Sequence, residues 1–364
     1  MTAGLACIAG ARPNFMKIAP LVKAFTAANL DPYVIHTGQH YDEKMSESFF
    51  RDLGIPQPRV NLEVGSGSHV FQIAEVMKRL EAEFAKQPPR AVVVVGDVNS
   101  TVAGAITGVK LGIPVAHVEA GLRSGDRSMP EETNRILTDA IADWLFTSEP
   151  AANDNLRREG VPEEKIHFVG NVMIDTLLEN LRRARQVKAY EQFDVPSRGY
   201  AVLTLHRPSN VDQPERLQSI LRAITQLHRQ VPVLFVMHPR TQAKIREFGF
   251  ADQPELNGYR WIDPQPYHSM LSLTENARLV LTDSGGLQEE TTMLGVPCLT
   301  IRDNTERPIT IDVGSNRLVS HETGVLATAI RDCLDISDKP WQVPELWDGQ
   351  AAVRIAEILR RDLN

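Results

Sequence analysis

Short apolar runs alternate with amphipathic stretches of helical period almost from end to end, and this alternation limits the possible folds severely. A run such as residues 91–95, Ala-Val-Val-Val-Val, reads as a strand buried on both faces. Similar runs lie at 5–9, 33–36, 115–118, 144–147 and 167–169. A second series lies at 201–205, 233–237, 259–262, 279–281, 298–301 and 318–319. Helical patterns fill the gaps, for example at 70–86, 132–141, 217–230 and 324–334. Such β-α alternation predicts parallel sheets covered by helices on both faces. The runs fall into two groups, and 364 residues favour two domains. A helical stretch at 172–190, followed by Asp194-Val-Pro-Ser-Arg-Gly199, can join them. The expected division is residues 1–170 and 171–347, with a final helical segment, 348–364, returning to the first domain.

Ligands of open α/β sheets bind outside the carboxyl ends of the strands. Polar residues concentrate at those ends in both halves: Gly96-Asp97, Glu119, His206-Arg207, His238 and Thr282-Asp283. Each taken singly can be a helix cap or turn former. Their joint occurrence points to a site.

The stretch from Leu279 to Glu290 carries the most chemistry. Its strand runs into Asp283-Ser-Gly-Gly286, where Asp283 and Ser284 can cap a helix opening at Gly285 and Gly286. Free N–H groups at a helix start attract phosphate, and glycines let an anion approach the backbone. Glu290 lies about two turns on, within reach of a ribose. A nucleotide diphosphate fits this pattern, and an ordinary strand–turn–helix corner is the competing reading.

Composition and missing motifs exclude other classes. The formal charge is −7, so no global basic field draws in nucleic acid or an anionic membrane. The three cysteines, Cys7, Cys298 and Cys333, form no C-x-x-C pair, and Cys7 and Cys298 sit in apolar runs, which fits a reducing cytoplasm. No leader pattern or bilayer-length apolar stretch is expected. Gly65-Ser-Gly67 is followed by Val70 where a dinucleotide fingerprint places Gly or Ala. There is no P-loop, H-E-x-x-H, D-x-D or G-x-S-x-G. The expected chemistry runs without metal, redox cofactor or serine nucleophile.

Several motifs supply candidate groups. Arg12 and Lys17 bracket the start of the first helix and can neutralise phosphate or a developing charge, or be solvated surface cations. Glu119 ends a strand in His117-Val-Glu-Ala-Gly-Leu-Arg123. Glu131 opens a helix in Met129-Pro-Glu-Glu-Thr-Asn-Arg135, and can simply pair with Arg135 four residues on. Asp97, Glu119 and Glu131 converge on one sheet edge, where crowding and burial raise carboxyl pKa values and make general acids or bases. Arg207 and Arg307 are candidates to offset phosphate charge, and His206 sits where a ligand would lie.

Together these motifs closely resemble the non-hydrolysing UDP-N-acetylglucosamine 2-epimerases. The ordered set runs through Ala11-Arg-Pro13, Thr37-Gly-Gln-His40, Gly96-Asp97, His117–Arg123, Pro130-Glu-Glu132, Asn134-Arg135, Gly170-Asn171, His206-Arg207, Leu281–Gly286, Gln288-Glu-Glu290 and Thr305-Glu-Arg-Pro308. The resemblance implies a GT-B-like α/β fold, with two Rossmann-type, doubly wound parallel-sheet domains facing across a cleft that holds a nucleotide sugar. It implies reversible conversion of UDP-GlcNAc to UDP-ManNAc: UDP is eliminated to give 2-acetamidoglucal and then added back. By motif, Asp97, Glu119 and Glu131 become the acid/base candidates, with Arg12 and Lys17 near the reacting centre. His206 would contact the diphosphate, Ser284, Gly285 and Gly286 would bind phosphate, and Glu290 would bind the uridine ribose. No cofactor is implied, and a homodimer is.

Two departures bear on regulation. Many members read His-Arg-Arg-Glu-Asn where this chain reads His206-Arg-Pro-Ser-Asn210, and Tyr41-Asp42 replaces the Arg-Gln of many bacterial members. In some bacterial members these regions hold a second, activating UDP-GlcNAc. Gln39 and His238 remain as matching parts of that effector site. The alternatives are a hydrolysing 2-epimerase, a 2-epimerase of a diacetamido sugar, a GT-B glycosyltransferase and a non-enzymatic nucleotide-sugar sensor.

Overall fold

The computed structural model describes residues 4–10, 12–38, 53–228, 230–253, 259–335 and 341–363. The chain divides into two compact units, Met1–Glu179 with Glu345–Asn364, and Asn180–Pro344.

The first unit holds a seven-stranded sheet in the order β3-β2-β1-β4-β5-β6-β7, with every paired strand parallel. Its strands are β1 (Leu5–Ala9), β2 (Pro32–His36), β3 (Val60–Asn61), β4 (Ala91–Val95), β5 (Val115–Ala120), β6 (Trp144–Thr147) and β7 (Ile166–Phe168). Helices α1 (Arg12–Ala27), α2 (His69–Lys86), α3 (Asn99–Lys110), α4 (Pro130–Ile141) and α5 (Pro150–Arg158) cross between them. Order reverses between β1 and β4, so the switch point lies at their carboxyl ends. β4 is apolar and buried along its whole length, as a strand covered on both faces must be. β3 is the one strand that periodicity does not predict, because two residues carry no period.

Helix α6 (Val172–Val187) runs across the boundary between the units. The C-terminal helix α14 (Ala351–Leu363) belongs to the first unit and packs on α1. Asp175 caps it, accepting from the Ala351 and Ala352 N–H groups at 3.2 and 2.7 Å. The buried Trp347 indole donates to the Ser148 carbonyl at 3.0 Å.

The second unit holds a six-stranded parallel sheet in the order β10-β9-β8-β11-β12-β13. Its strands are β8 (Ala201–Thr204), β9 (Val233–Val236), β10 (Tyr259–Ile262), β11 (Leu279–Thr282), β12 (Cys298–Ile301) and β13 (Asn316–Val319). Helices α7 (Pro208–Val211), α8 (Pro214–His228), α9 (Pro239–Glu247), α10 (Tyr267–Glu275), α11 (Gly285–Leu294), α12 (Ile309–Asp312) and α13 (Thr323–Asp335) complete it. Alternate residues supply the two faces. Ala201, Leu203, Leu279 and Leu281 pack into one core cluster, and Val202 and Val280 into the other. Here the switch point lies between β8 and β11. No described helix is long and apolar enough to cross a membrane.

Candidate active site

In the first unit the site grows from the turn after β1. The Gly10 N–H donates to Asn14 Oδ1 at 3.2 Å, and Asn14 Nδ2 donates to the Val95 carbonyl at 3.1 Å. These bonds fix the first turn of α1 to the end of β4. One turn on, Lys17 is buried, and its ammonium pairs with the buried Glu119 carboxylate. Arg12 opens α1, but its side chain lies outside the described residues, as do Gln39, Tyr41 and Asp42.

Glu119 sits at an irregularity in β5, where the register with β6 shifts between Val118 and Ala120. Its φ is +74°, a left-handed conformation that costs a non-glycine residue about 1–2 kcal/mol. Bulges re-aim side chains, and strain of this kind gathers at functional sites. Gly96 faces the pair directly. A Cβ there would lie 2.8 Å from Lys17 Nζ and 3.3 Å from Glu119 Oε2, and Gly96 itself has φ +66°.

Helix α4 supplies a ladder at four-residue spacing: Glu131, Arg135 and Asp139 share one face. Arg135, fully buried, binds the Asp97 carboxylate and donates to Glu132 through Nε at 3.0 Å and a terminal nitrogen at 2.7 Å. The pairing along the helix thus uses Glu132 three residues back. Glu131, in the first turn and half-buried, makes no hydrogen bond or ion pair among the described residues. Glu132 also accepts from the Ser124 and Gly125 N–H groups, at 3.0 and 2.9 Å. Burial works to raise its carboxyl, but these bonds and Arg135 outweigh burial and hold it below the usual range. At the foot of the ladder Asp139 meets His117 at 2.6 Å and Arg123 at 2.7 Å. Burial opposes its ionisation, and His117 and Arg123 overcome that and keep it low.

In the second unit the chemistry gathers where β8 and β11 end. Asp283, read from sequence as a helix cap, does something else. Its fully buried carboxylate accepts from the His206 N–H at 3.0 Å, the Arg207 N–H at 3.0 Å and Asn210 Nδ2 at 3.1 Å, and lies 3.0 Å from His206 Nδ1. Burial raises this carboxyl, but His206 and the other donors win and hold it ionised. His206 therefore keeps Nδ1 toward Asp283 and turns Nε2 away from it. The His238 ring lies against His206, with centroids 5.5 Å apart, and its Nδ1 accepts from the Arg240 N–H.

Ser284 occupies the N-cap of α11 but makes no side-chain cap bond; its own N–H donates to Thr282 Oγ1 at 2.9 Å. The helix thus starts at Gly285 and Gly286 with its N–H groups uncapped by a side chain, the arrangement that suits a phosphate. Arg307 packs on Gly285, and a Cβ there would meet its guanidinium at 2.9 Å. Arg307 is engaged by Glu289 at 2.7 Å and by Glu306, and is buried. Glu306 also accepts from Arg302 at 2.8 Å and lies 3.9 Å from Arg207. Its carboxyl is held far below the usual range: three guanidiniums outweigh its burial. Of the two expected phosphate cations, Arg207 is therefore the more accessible, and Arg307 is built into an ion-pair cluster. Glu290 is the opposite case, since burial and neighbouring Glu289 push its carboxyl up to about 8. The buried Tyr267 hydroxyl close to it has no hydrogen-bond partner among the described residues.

The structure thus groups Lys17, Asp97, Glu119 and Glu131 in one unit, and His206, Arg207, Ser284, Gly285, Gly286, Glu290 and Arg307 in the other. Sequence reasoning passed over Asn14, Asp139 and the clamp role of Asp283, and gave Arg135 only a pairing with Glu131. Arg135 lay inside a quoted motif, but nothing local to Asp139 marks it. No three described His, Cys, Asp or Glu side chains are arranged to hold a metal ion.

A family model for UDP-N-acetylglucosamine 2-epimerase matches residues 23–360. The chain is 44% identical to the UDP-N-acetylglucosamine 2-epimerase of Methanocaldococcus jannaschii over 98% of both proteins. It is 40% identical to the UDP-2,3-diacetamido-2,3-dideoxy-D-glucuronate 2-epimerase of Pseudomonas aeruginosa, over 97% of this chain and 98% of that one. Among solved structures it resembles the M. jannaschii UDP-GlcNAc 2-epimerase in complex with UDP-GlcNAc and UDP. The TM-score is 0.91 at 43% identity, covering 98% of this chain and 99% of that one.

Proposed function

The chain belongs to the UDP-N-acetylglucosamine 2-epimerase family, whose fold is GT-B-like, and from that premise we propose that it interconverts UDP-GlcNAc and UDP-ManNAc without net hydrolysis. In the forward direction a carboxylate takes the C2 proton while the C1–O bond breaks and its electron pair leaves with UDP. This gives 2-acetamidoglucal. UDP then re-forms the C1–O bond, and a second acid delivers a proton to the opposite face of C2. A C2–H bond is weakly acidic, so leaving-group departure dominates the barrier and must be stabilised most strongly in the transition state.

The observation that carries this reading is Glu119, held in a strained left-handed conformation against Lys17 at a sheet edge that also carries Asp97. We assign acid and base duties to Glu119, Asp97 and Glu131, with Lys17 aiming the Glu119 carboxylate. Glu131, whose carboxylate has no partner among the described residues, is suited to exchange a proton with substrate. In the other unit His206 Nε2, Arg207 and the α11 N–H groups would take the diphosphate charge, and Glu290 the ribose hydroxyls. Arg307 supports this end through Glu289 and Glu306. Group transfer to an acceptor needs no acid/base set at C2, which favours epimerisation over a glycosyltransferase. The same proposal takes the enzyme as a cytoplasmic homodimer, the second point checked by its mass in solution.

Incubation with UDP-GlcNAc in D2O, followed by NMR, tests the reading. UDP-ManNAc carrying deuterium at C2 is expected; free ManNAc with stoichiometric UDP would mean hydrolysis. The 40% identity to the diacetamido-glucuronate enzyme supports a second substrate, and the same assay with that UDP-sugar ranks the two by kcat/KM.

A further inference from the structure

Fully buried beneath Glu119 and Asp97 lies an imidazole with no place in the chemistry so far. His117 stands two residues before Glu119 on β5, and both of its ring nitrogens face oxygens. Nε2 lies 2.8 Å from the Gly96 carbonyl and Nδ1 2.6 Å from Asp139 Oδ1. A carbonyl only accepts, so Nε2 carries a proton and donates. The Gly96 N–H is tied in turn to the Val118 carbonyl at 3.0 Å. Both polar groups of Gly96 are therefore held by β5, one through the backbone and one through His117. Asp97 itself is held from α4, where Asn134 Nδ2 donates to its carbonyl at 2.9 Å and Arg135 binds its carboxylate, so the His117 bond fixes the entering peptide from the other end. The same glycine forms the surface against which Lys17 and Glu119 rest. Asp139, one turn beyond Arg135, is locked from its other side by the Gly121 N–H at 3.0 Å and by Arg123 at 2.7 Å. The chain Asp139–His117–Gly96 thus joins α4, β5 and the turn after β4, the elements that carry Glu131, Glu119 and Asp97.

We propose that His117 is a positioning residue for the epimerisation: its Nε2–H bond to the Gly96 carbonyl sets the orientation of the Asp97 turn, and Asp139 keeps the ring in the register that makes this bond. The inference rests on the epimerase reading. Wild-type turnover in the D2O assay tests that reading, and the ranking of variants tests this one.

Two substitutions divide the ring's bonds. Glutamine carries its amide nitrogen where Nε2 sits and can still donate to Gly96; asparagine carries its nitrogen where Nδ1 sits and can reach only Asp139. His117→Gln should keep kcat within about 5-fold of wild type, whereas His117→Asn should lose about 100-fold, the scale of a misplacement near 1 Å. KM should stay within about 3-fold in both, because the groups that grip UDP lie in the other unit. A merely structural role predicts that kcat follows melting temperature. Equal kcat values for the two variants, or a kcat order that matches their Tm order, would overturn the proposal. Should His117→Asn fail to fold, Asp139→Asn decides. Its amide can donate to Nδ1 of a neutral ring that still presents Nε2–H to Gly96, so kcat within about 5-fold is expected. A loss near 100-fold in that variant refutes the assignment.

Discussion

Replacing Gly96 with alanine deletes no functional group, so it separates geometry from chemistry. The added methyl would start 2.8 Å from Lys17 Nζ and 3.3 Å from Glu119 Oε2. Ordinary contact needs about 3.5–4.0 Å, so the ammonium must retreat by close to 1 Å. Lysine is flexible at its far end, and that retreat is cheap for the fold. The backbone adds about 1–2 kcal/mol, because alanine must hold a φ of +66°. At roughly 2–4 °C per kcal/mol for a unit of this size, Tm should fall by about 2–8 °C. The chemistry should suffer more. A shift near 1 Å in the Lys17–Glu119 pair costs about 100-fold in kcat, or ~2.7 kcal/mol of barrier. Gly96→Ala should therefore fold, bind UDP with unchanged Kd by calorimetry, and incorporate deuterium at C2 about 100-fold more slowly. If turnover stays within about 3-fold of wild type in a folded Gly96→Ala protein, the contact does not set the geometry of catalysis and the reasoning fails.

Other outcomes follow from the same site. Glu119→Gln and Glu131→Gln should each slow turnover by at least ~100-fold; near-wild-type rates in both would remove them from the acid/base role. Asp283→Asn removes the charge that holds His206, Arg207 and Asn210. It should cost about 3 kcal/mol of stability and weaken UDP binding, and an unchanged melting curve would contradict the clamp. Glu290, its carboxyl pushed up to about 8 by burial and Glu289, must ionise if it accepts two ribose hydroxyls as proposed. Between pH 7 and 8 UDP binding should therefore tighten with rising pH, by at most about tenfold per unit, and level off above 8; Glu290→Gln should flatten the profile. The same raised pKa favours the protonated folded state. Its stabilising effect is present below the unfolded value of 4.5 and is lost as pH rises toward 8. Glu290→Gln should accordingly gain Tm relative to wild type as pH goes from 5 to 8.

What the sequence made legible was the arrangement along each sheet. Unbroken apolar runs such as 91–95, too short for a helix and rich in β-branched residues, read as strands covered on both faces, and parallel strands place their next polar residues on one edge. That is why Asp97, Glu119, His206 and Asp283 could be set at strand ends before any coordinates. Partners at long range were not legible. Asp283 before a glycine pair looks identical whether it caps its own helix or reaches His206, 77 residues earlier in the chain. Arg135 can reach Glu131 or Glu132 by helical spacing alone, and its tertiary partner Asp97 was beyond local reading. Asp139 and His117 are 22 residues apart with no pattern linking them, and only packing brings them together.

The left-handed backbone at Glu119 has a consequence for anyone who redesigns the protein. By propensity alone, glycine or asparagine is the better residue there, so a procedure that scores backbone conformation alone will favour Glu119→Gly. Relief of about 1–2 kcal/mol of backbone strain is outweighed by the buried Lys17 ammonium left without its counter-ion, which costs about 3–5 kcal/mol. The change would therefore lose stability together with the proposed acid/base group. Position 119 should therefore be held fixed in any library built on this scaffold.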